Sequence, residues 1–230
     1  MMKYLITGAN RGLGLEFTRQ LIARGDQVIA ACRNPDKADE LTQLADSSEH
    51  LEAVHALDIT DPDSVAALAK SLENDNVDVL INNAGRLSRG GSPNDFDFDE
   101  IQGDFAINAI GTLRVIEAAM PALRRGKGKK IVNISSKMGS IGDNSGGGSY
   151  AYRMSKAALN IATRSLAIDL RPEGFIAFVV HPGWVQTDMG GPNGLITPET
   201  SISNLIERID KADMNDSGQF IEWNGNRIPW

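Results

Sequence analysis

The chain of 230 residues contains one cysteine, Cys32, so it has no internal disulfide available to it. A protein that does without disulfides is typical of a reducing compartment. Positive charge is also scarce, because 23 lysines and arginines stand against 30 aspartates and glutamates, a formal charge of -7. This deficit argues against sequence-independent binding of nucleic acid, which requires clustered positive charge.

Long hydrophobic runs are missing as well. No window approaches the roughly 18 uninterrupted apolar residues of a membrane span. The opening stretch MMKYLITGAN lacks the apolar segment of a signal peptide. We therefore expect a soluble, cytoplasmic protein that binds neither membrane nor nucleic acid. Hydrophobic residues still make up 41% of the chain, which suffices for a substantial core and is too many for a disordered chain.

Short apolar segments alternate with longer amphipathic ones along the whole chain. The predicted strands are 3–7, 27–32, 51–57, 77–82, 130–135, 175–181 and 219–223. The predicted helices are 13–24, 37–44, 63–72, 98–123, 150–170 and 198–212. Several strands are continuously apolar, which is typical of strands covered on both faces. The pattern predicts an α/β fold with one doubly wound parallel sheet of about seven strands, flanked by helices on both faces. No linker or repeat divides the chain, so one domain spanning 1–230 is expected.

A glycine-rich loop, TGANRGLG at 7–14, follows the first strand and opens the first helix. Gly8 permits a tight turn, while Gly12 and Gly14 lack side chains that would keep the backbone from a pyrophosphate at the helix N-terminus. The spacing differs from the G-x-G-x-x-G dinucleotide fingerprint, and a purely structural turn is the alternative. The strand-loop-helix context favours dinucleotide binding in a Rossmann-type sheet.

The end of the second strand bears on which dinucleotide binds. An acidic side chain there holds the adenosine ribose of NADH, whereas an arginine accommodates the 2′-phosphate of NADPH. The strand here ends in Arg33 without an acid, and Arg11 lies in the glycine loop. These two arginines favour NADPH over NADH. The alternative is that both are ordinary surface residues.

Two tyrosines and a lysine stand close together in SYAYRMSKAALN at 149–160. On a helix, Tyr152 and Lys156 are four apart and share one face, whereas Tyr150 has Met154 at that offset. An ammonium nearby favours the phenolate, so we expect Lys156 to lower the pKa of Tyr152 from its usual value near 10. A tyrosine ring that merely packs on a lysine stem is the alternative.

Five motifs occur in order: TGANRGLG, NNAG at 82–85, VNISS at 132–136, YRMSK at 152–156 and HPGWVQT at 181–187. With them the chain resembles the short-chain dehydrogenase/reductase family along essentially its whole length. Its details resemble the sniffer-type and C-factor-like carbonyl reductase branch. Those details are GSYAYRMSKAALN, the short region after HPGWVQTDMGG, and the IPW at 228–230.

The resemblance implies a role for each matching residue. Tyr152 is similar to the catalytic acid/base of the family, and Lys156 to its partner, which also holds the nicotinamide ribose. Ser136 matches the serine that hydrogen-bonds the substrate carbonyl. Asn108 matches the asparagine that completes a water-mediated proton relay, although it could instead satisfy backbone within its own helix.

The resemblance also implies a cofactor-binding set and no metal. Asp58 resembles the aspartate that contacts adenine, residues 83–85 the adenosine side, and 182–187 the segment that faces the nicotinamide, with Thr187 near the carboxamide. Asn83 could equally bond neighbouring backbone. The positions cluster after strand ends, where open α/β sheets bind ligands. The full set is Gly8, Asn10, Arg11, Gly12, Leu13, Gly14, Arg33, Asp58, Ile59, Asn83, Ala84, Gly85, Tyr152, Lys156, Pro182, Gly183, Val185 and Thr187.

The implied function is the NADPH-dependent reduction of a small carbonyl compound (an aldehyde, ketone or quinone) to an alcohol. A non-catalytic, nucleotide-binding signalling protein of C-factor type is the alternative. The cofactor-binding region would cover about 1–135 and the catalytic region about 136–230. A homodimer or homotetramer is expected, because members of the family usually pair their long helices.

Two departures from the family pattern concern the site. A glycine-rich stretch at 142–149 lengthens the connection between Ser136 and Tyr152, and it must fold away for both to meet one oxygen. The connection between Thr187 and Pro198 is short, which predicts an open substrate site.

Overall fold

Seven parallel strands form the sheet, and the computed structural model describes residues 1–230. The strands are β1 Lys3–Thr7, β2 Gln27–Cys32, β3 Leu51–Ala56, β4 Val79–Asn82, β5 Lys130–Ile134, β6 Ile176–His181 and β7 Phe220–Glu222. Their order is β3-β2-β1-β4-β5-β6-β7. The order reverses between β1 and β4, and this switch point is where open α/β sheets bind ligands. The predicted doubly wound parallel sheet is confirmed.

Seven α-helices cover the two faces of the sheet. They are α1 Gly12–Ala23, α2 Asp39–Ser47, α3 Pro62–Ser71, α4 Phe98–Phe105, α5 Thr112–Arg125, α6 Tyr150–Asp169 and α7 Pro198–Lys211. Successive residues of a strand point to opposite faces, and here both faces are buried. In β1, Tyr4 and Ile6 join the core beneath α1 and α7, whereas Leu5 joins the core beneath α3 and α5. Two buried faces explain the continuously apolar strand sequences.

The amino ends of the strands carry acid-base contacts in addition to their apolar packing. Lys3 pairs with Glu52 at 2.6 Å and with Asp75 at 3.0 Å. Arg24 pairs with Asp26 and Asp210 at 2.5 Å each. The amino ends form the lower edge of the sheet. This edge lies opposite the carboxyl ends, where the candidate site forms.

The predicted helix at 98–123 is not one regular helix. A π-helical segment at Ala106–Gly111 separates α4 from α5. π-Helical insertions are often found at functional sites. By length and composition the stretch Phe98–Arg125 could cross a membrane, but half of its apolar window is buried. Val115 and Ile116 lie in the core under the sheet, as expected of a core helix.

The stability of the sheet should depend on its central aromatic side chains. Phe178 in β6 is fully buried, so Phe178→Ala should lower the free energy of unfolding by about 3–5 kcal/mol. Phe98→Ala is the matched control: Phe98 is 67% exposed, and its removal should change that free energy by less than about 0.5 kcal/mol. Urea unfolding of the native protein and of both variants measures these changes in the free energy of unfolding. Equal losses for both variants would contradict the assignment of Phe178 to the core.

Candidate active site

The glycine loop turns sharply between β1 and α1. Gly8 and Gly12 adopt the left-handed region, with φ of 64° and 54°. A Cβ on Gly14 would overlap the carbonyl oxygen of Gly8. Gly14 is therefore required because a side chain there would clash with the loop itself. The sequence had instead suggested that this glycine allows the close approach of a pyrophosphate.

The loop is fastened to the end of β4 by polar groups of Thr7 and Asn83. The Asn83 amide donates to the carbonyls of Thr7 at 3.0 Å and Gly8 at 3.1 Å. The Thr7 hydroxyl accepts from the backbone N–H groups of Asn83 and Ala84 at 3.0 Å each. The Asn83 side chain thus bonds neighbouring backbone, one of the two alternatives that the sequence left open. Thr7 was missed, although it opens the quoted motif.

The N-terminus of α1 fits a pyrophosphate. Arg11 at its start provides no side-chain cap, and the first turn carries no acidic residue. By contrast, α3, α4 and α7 are capped by Asp61, Asp97 and Thr197. The first N–H groups of α1 are therefore free to bind an anion, assisted by the helix dipole. Asn10 in the loop and Leu13 in the first turn of α1 are both half-buried.

Arg33 and Asp58, predicted at the 2′-phosphate and the adenine, follow β2 and β3, whereas the predicted adenosine-side residues 83–85 follow β4. Asp58 accepts hydrogen bonds from the Thr60 hydroxyl at 2.6 Å and the Thr60 N–H at 2.9 Å. These bonds, with a smaller contribution from the Arg33 charge, hold the pKa of Asp58 below its usual value. Arg33 is thus near Asp58, and Ile59 beside it is buried against Gly111. Arg11 is exposed, and its guanidinium lies 3.4 Å from Asp188; its contact with the 2′-phosphate stays a prediction.

The segment after β6 lies across from the glycine loop. The Pro182 carbonyl accepts a hydrogen bond from Ser201 at 2.6 Å, and Gly183 has φ of 88°. Val185 is buried and pairs with Ile196. The Thr187 methyl lies 3.8 Å from the position that a Cβ on Gly12 would take. The structure therefore brings both predicted walls of the cofactor cleft together.

The predicted catalytic side chains converge at the start of α6. Tyr152 and Lys156 are 7% and 5% exposed, and the Lys156 Nζ lies 5.8 Å from the centroid of the Tyr152 ring. Lys156 Nζ donates to the Ile134 carbonyl at 2.8 Å. Ser136 is close enough to the Tyr152 phenol to favour its ionised form, which acts to lower the pKa of that phenol. Ser136, Tyr152 and Lys156, which the sequence predicted to lie together, are therefore close to one another.

The long connection between Ser136 and Tyr152 folds outward. The 3₁₀ turn Lys137–Gly139 follows Ser136, and residues 141–148 are exposed. The Ser140 hydroxyl donates to the Pro229 carbonyl at 2.6 Å, and the Gly142 N–H donates to the Trp230 carbonyl at 2.8 Å. These bonds hold the base of the loop away from the serine and tyrosine.

The prediction that Lys156 lowers the pKa of Tyr152 is wrong for this structure. Burial raises the pKa of Tyr152 to about 12; the Ser136 hydroxyl opposes this shift and the Asp104 charge adds to it. Burial also lowers the pKa of Lys156 to about 8, against an opposing effect of Asp104. Helical spacing predicts proximity, whereas the cost of burying a charge decides the direction of both shifts. A phenol that keeps its proton at neutral pH is suited to donating it.

Asn108 lies in the π-helical segment and binds other segments rather than its own helix. Its Oδ1 accepts from the Arg86 N–H at 2.8 Å, and its Nδ2 donates to the Arg86 carbonyl at 2.8 Å and to Ser155 Oγ at 2.9 Å. The Ser155 hydroxyl in turn donates to the Tyr152 carbonyl at 2.9 Å. Asn108 is therefore linked to the start of α6, while its role in a water relay stays a prediction.

A pocket that includes the first two residues of α6, Tyr150 and Ala151, is lined by residues that the sequence did not single out. Tyr150 and Phe96 meet edge to face with ring centroids 5.0 Å apart. Arg89 lies at the same pocket and donates to the Met189 carbonyl at 3.1 Å. A buried polar cluster of Ser88 and Asp104 lies close by. No group of three or more His, Cys, Asp or Glu side chains is arranged to hold a metal ion.

Comparison with known proteins agrees with this geometry. A family model described as short chain dehydrogenase matches residues 3–194. The C-signal protein of Myxococcus xanthus is 47% identical over 154 residues, which cover 67% of this chain and 93% of that protein. The 1-hydroxy-2-glutathionyl-2-methyl-3-butene dehydrogenase of Rhodococcus sp. (strain AD45) is 38% identical over 238 residues, which cover 100% of both.

Solved structures agree as well. Carbonyl reductase Sniffer of D. melanogaster has a TM-score of 0.95 at 33% identity, with 100% of both chains covered. The NADPH-bound carbonyl reductase from chicken fatty liver has a TM-score of 0.93 at 34% identity, with 100% of this chain and 99% of that chain covered. The chain belongs to the short-chain dehydrogenase family of oxidoreductases. The predicted resemblance to sniffer-type and C-factor-like members is confirmed.

The buried ammonium of Lys156 should make stability depend on pH. Its folded-state pKa of about 8 is below the ordinary 10.5, so the unfolded chain binds more protons between these values and stability rises with pH. Urea unfolding across that window should therefore show the native protein gaining a few kcal/mol relative to Lys156→Met. Subtracting the variant cancels the other titrating groups. A difference that is flat or falls with pH would contradict a lowered pKa.

Proposed function

We propose that this protein is an NADPH-dependent carbonyl reductase. The observation that carries the proposal is the buried convergence of Ser136, Tyr152 and Lys156 at the carboxyl ends of the strands. A protonated phenol beside a hydroxyl and an ammonium is the set of groups that a carbonyl oxygen needs when it accepts a proton. The likeness to Sniffer and to the chicken carbonyl reductase supports this chemistry.

The cofactor would lie in the cleft between the glycine loop and the segment 182–187. The free N–H groups of α1 would hold the pyrophosphate, and Arg33 would face the 2′-phosphate. Lys156 would hold the nicotinamide ribose. The NADPH bound to the chicken enzyme supports NADPH over NADH. When bound, the nicotinamide supplies the hydride.

The side chains perform the proton chemistry. Ser136 and Tyr152 would each hydrogen-bond the substrate carbonyl oxygen and so polarise the bond. Tyr152 then gives its phenolic proton to that oxygen. The phenolate that remains is stabilised by the Ser136 hydroxyl and by the Lys156 charge, which are already in place before the reaction. Asn108 would help to replenish the proton, as the family resemblance implies.

The pocket supports a preference for aromatic or quinone carbonyls. Phe96 and Tyr150 form an aromatic pair in a pocket at the start of α6, the helix that carries Tyr152, and residues 188–197 form only a short connection. Ile141 and Leu195 are 80% and 78% exposed. An open, partly apolar site would accept flat substrates with several different substituents.

A signalling role like that suggested by the C-signal relative is the second candidate. The 47% identity to that protein favours it. A protein that only binds a nucleotide would not require a buried phenol, serine and ammonium close together, so we place catalysis first. We further propose one domain of 1–230, in which residues 1–135 bind the cofactor and residues 136–230 carry the catalytic groups. A cytoplasmic location and a homodimer or homotetramer complete the proposal.

Changing Tyr152 to Phe tests the catalytic assignment, because it keeps the ring and removes the proton. Carbonyl reduction by NADPH should fall about 100- to 10,000-fold, while NADPH binding is retained. Tyr4→Phe is the matched control: it removes a phenol hydroxyl at the lower edge of the sheet, where Tyr4 contacts Arg24. NADPH consumption is measured with a panel of aldehydes, ketones and quinones. Parent-level turnover by the Tyr152→Phe variant would contradict the mechanism. Tight NADPH binding without any turnover by the native protein would favour the signalling alternative.

Changing Arg33 to Asp tests the cofactor preference. The new carboxylate should repel the 2′-phosphate of NADPH and accept the ribose hydroxyls of NADH, so NADPH affinity should fall about tenfold or more and the gap to NADH should narrow. Arg171→Asp makes the same charge change at an exposed site in the turn before β6. Cofactor titration by nicotinamide fluorescence gives both dissociation constants. Unchanged affinities in the Arg33 variant would remove the basis for the preference.

A further inference from the structure

Three polar side chains stand four residues apart along α4 and the π-helical segment: Glu100, Asp104 and Asn108. All three contact the stretch 86–88 that follows β4. Asn108 holds the backbone of Arg86, as described above. Glu100 contacts the side chains of Arg86 and Ser88. The row therefore fixes the strand-end segment that separates the cofactor cleft from the substrate pocket.

Asp104 differs from Glu100 because it is completely buried. The Asp104 side chain is 0% exposed, whereas that of Glu100 is 39% exposed. Asp104 Oδ1 accepts from the Ser88 hydroxyl at 2.7 Å, and Oδ2 accepts from the Ser88 N–H at 3.2 Å. Its nearest cation is Arg86, whose Nε lies 3.5 Å away and whose Nη2 is paired with Glu100. A buried carboxylate with so little direct compensation is costly, and a neutral amide could fill the same hydrogen bonds.

The helix α4, which carries the buried carboxylate, packs against α6, which carries the catalytic pair. Asn108 and Lys156 meet at Gly85, where a Cβ would lie 3.2 Å from Asn108 Oδ1 and 3.6 Å from Lys156 Nζ. Asp104 is one turn before Asn108 and equally buried, and Asn108 bonds Ser155, which lies between Tyr152 and Lys156 on α6. The Asp104 charge acts to raise the pKa of Tyr152, as burial does, and to raise the pKa of Lys156 against the larger lowering by burial.

The other polar and charged groups near Lys156 are neutral or are paired with one another. On its own helix the titratable neighbour is Tyr152, and on the segment after β4 it is Arg86, which is turned to the two carboxylates. The polar groups after β5 are neutral, namely Ser136 and the Ile134 carbonyl. Lys137 and Asp143 pair with each other at 3.7 Å and act on His181.

We propose that Asp104 is a positioning residue of the catalytic site, whose buried negative charge keeps Lys156 in its ammonium form and Tyr152 in its phenol form. The proposal rests on the proposed reductase function, since it concerns the same catalytic pair. Asp104 opposes the cost of burying the lysine, so the active protonation state persists to higher pH. The alternative is that Asp104 only clamps Ser88.

Asp104→Asn separates the two roles, because it retains the hydrogen-bonding shape and removes the charge. The alkaline limb of the kcat/KM profile for carbonyl reduction should move to lower pH by about one unit or more. Glu100→Gln is the matched control: it neutralises the other carboxylate that contacts Arg86 and Ser88, and its alkaline limb should coincide with that of the native protein. Thermal unfolding confirms that each variant is folded. An alkaline limb that stays in place in Asp104→Asn would overturn the proposal.

A second measurement does not depend on activity. The ¹³Cε signal of Lys156, assigned by its loss in Lys156→Met, should titrate above neutral pH in the native protein and at a lower pH in Asp104→Asn. The same midpoint in both proteins would overturn the proposal. If the native protein reduced no carbonyl while the signal titrated as expected, the proposed function would fail and the electrostatic role of Asp104 would stand.

Discussion

The site depends on one constraint, which is that an ammonium and a phenol are enclosed together in the protein interior. Lys156 and Tyr152 lose almost all contact with water at the start of α6, and burial moves both of their pKa values towards the neutral forms. The surrounding polar groups partly offset the cost of burying these two side chains. The Ile134 carbonyl accepts a hydrogen bond from the ammonium, the nearby Ser136 hydroxyl acts to lower the pKa of the phenol, and the Asp104 charge favours the ammonium of Lys156.

The parallel sheet makes this enclosure possible. Strands covered on both faces place their carboxyl ends side by side, so that the segments after β1, β4, β5 and β6 meet at one edge. Thr7 and Asn83 join the first two of these segments by hydrogen bonds, and Asn108 joins the segment after β4 to Ser155 on α6. The polar network therefore crosses the switch point of the sheet and ends at the backbone of Tyr152.

Sequence patterns predicted the features of the structure that local chemistry determines. The bounds of β1 and β2 agree to the residue, because a continuous apolar run between polar ends specifies a buried strand. The π-helical segment was missed, since one extra residue in a turn does not disturb an apolar pattern. The tyrosine-lysine spacing predicted their proximity but gave the wrong pKa direction, which depends on solvent exclusion. Asp104 was missed because its partners Arg86 and Ser88 come from a distant loop.

The acid-base contacts at the amino ends of the strands have a practical consequence. Lys3, Arg24 and their partners lie at the amino ends of the strands, and Tyr152 and Lys156 lie at the opposite edge of the sheet. The ion pairs that stabilise the amino ends of the strands are therefore remote from the candidate active site. The charge network at the amino ends of the strands can therefore be extended to raise thermal stability, without changing the side chains at the carboxyl ends that form the candidate site.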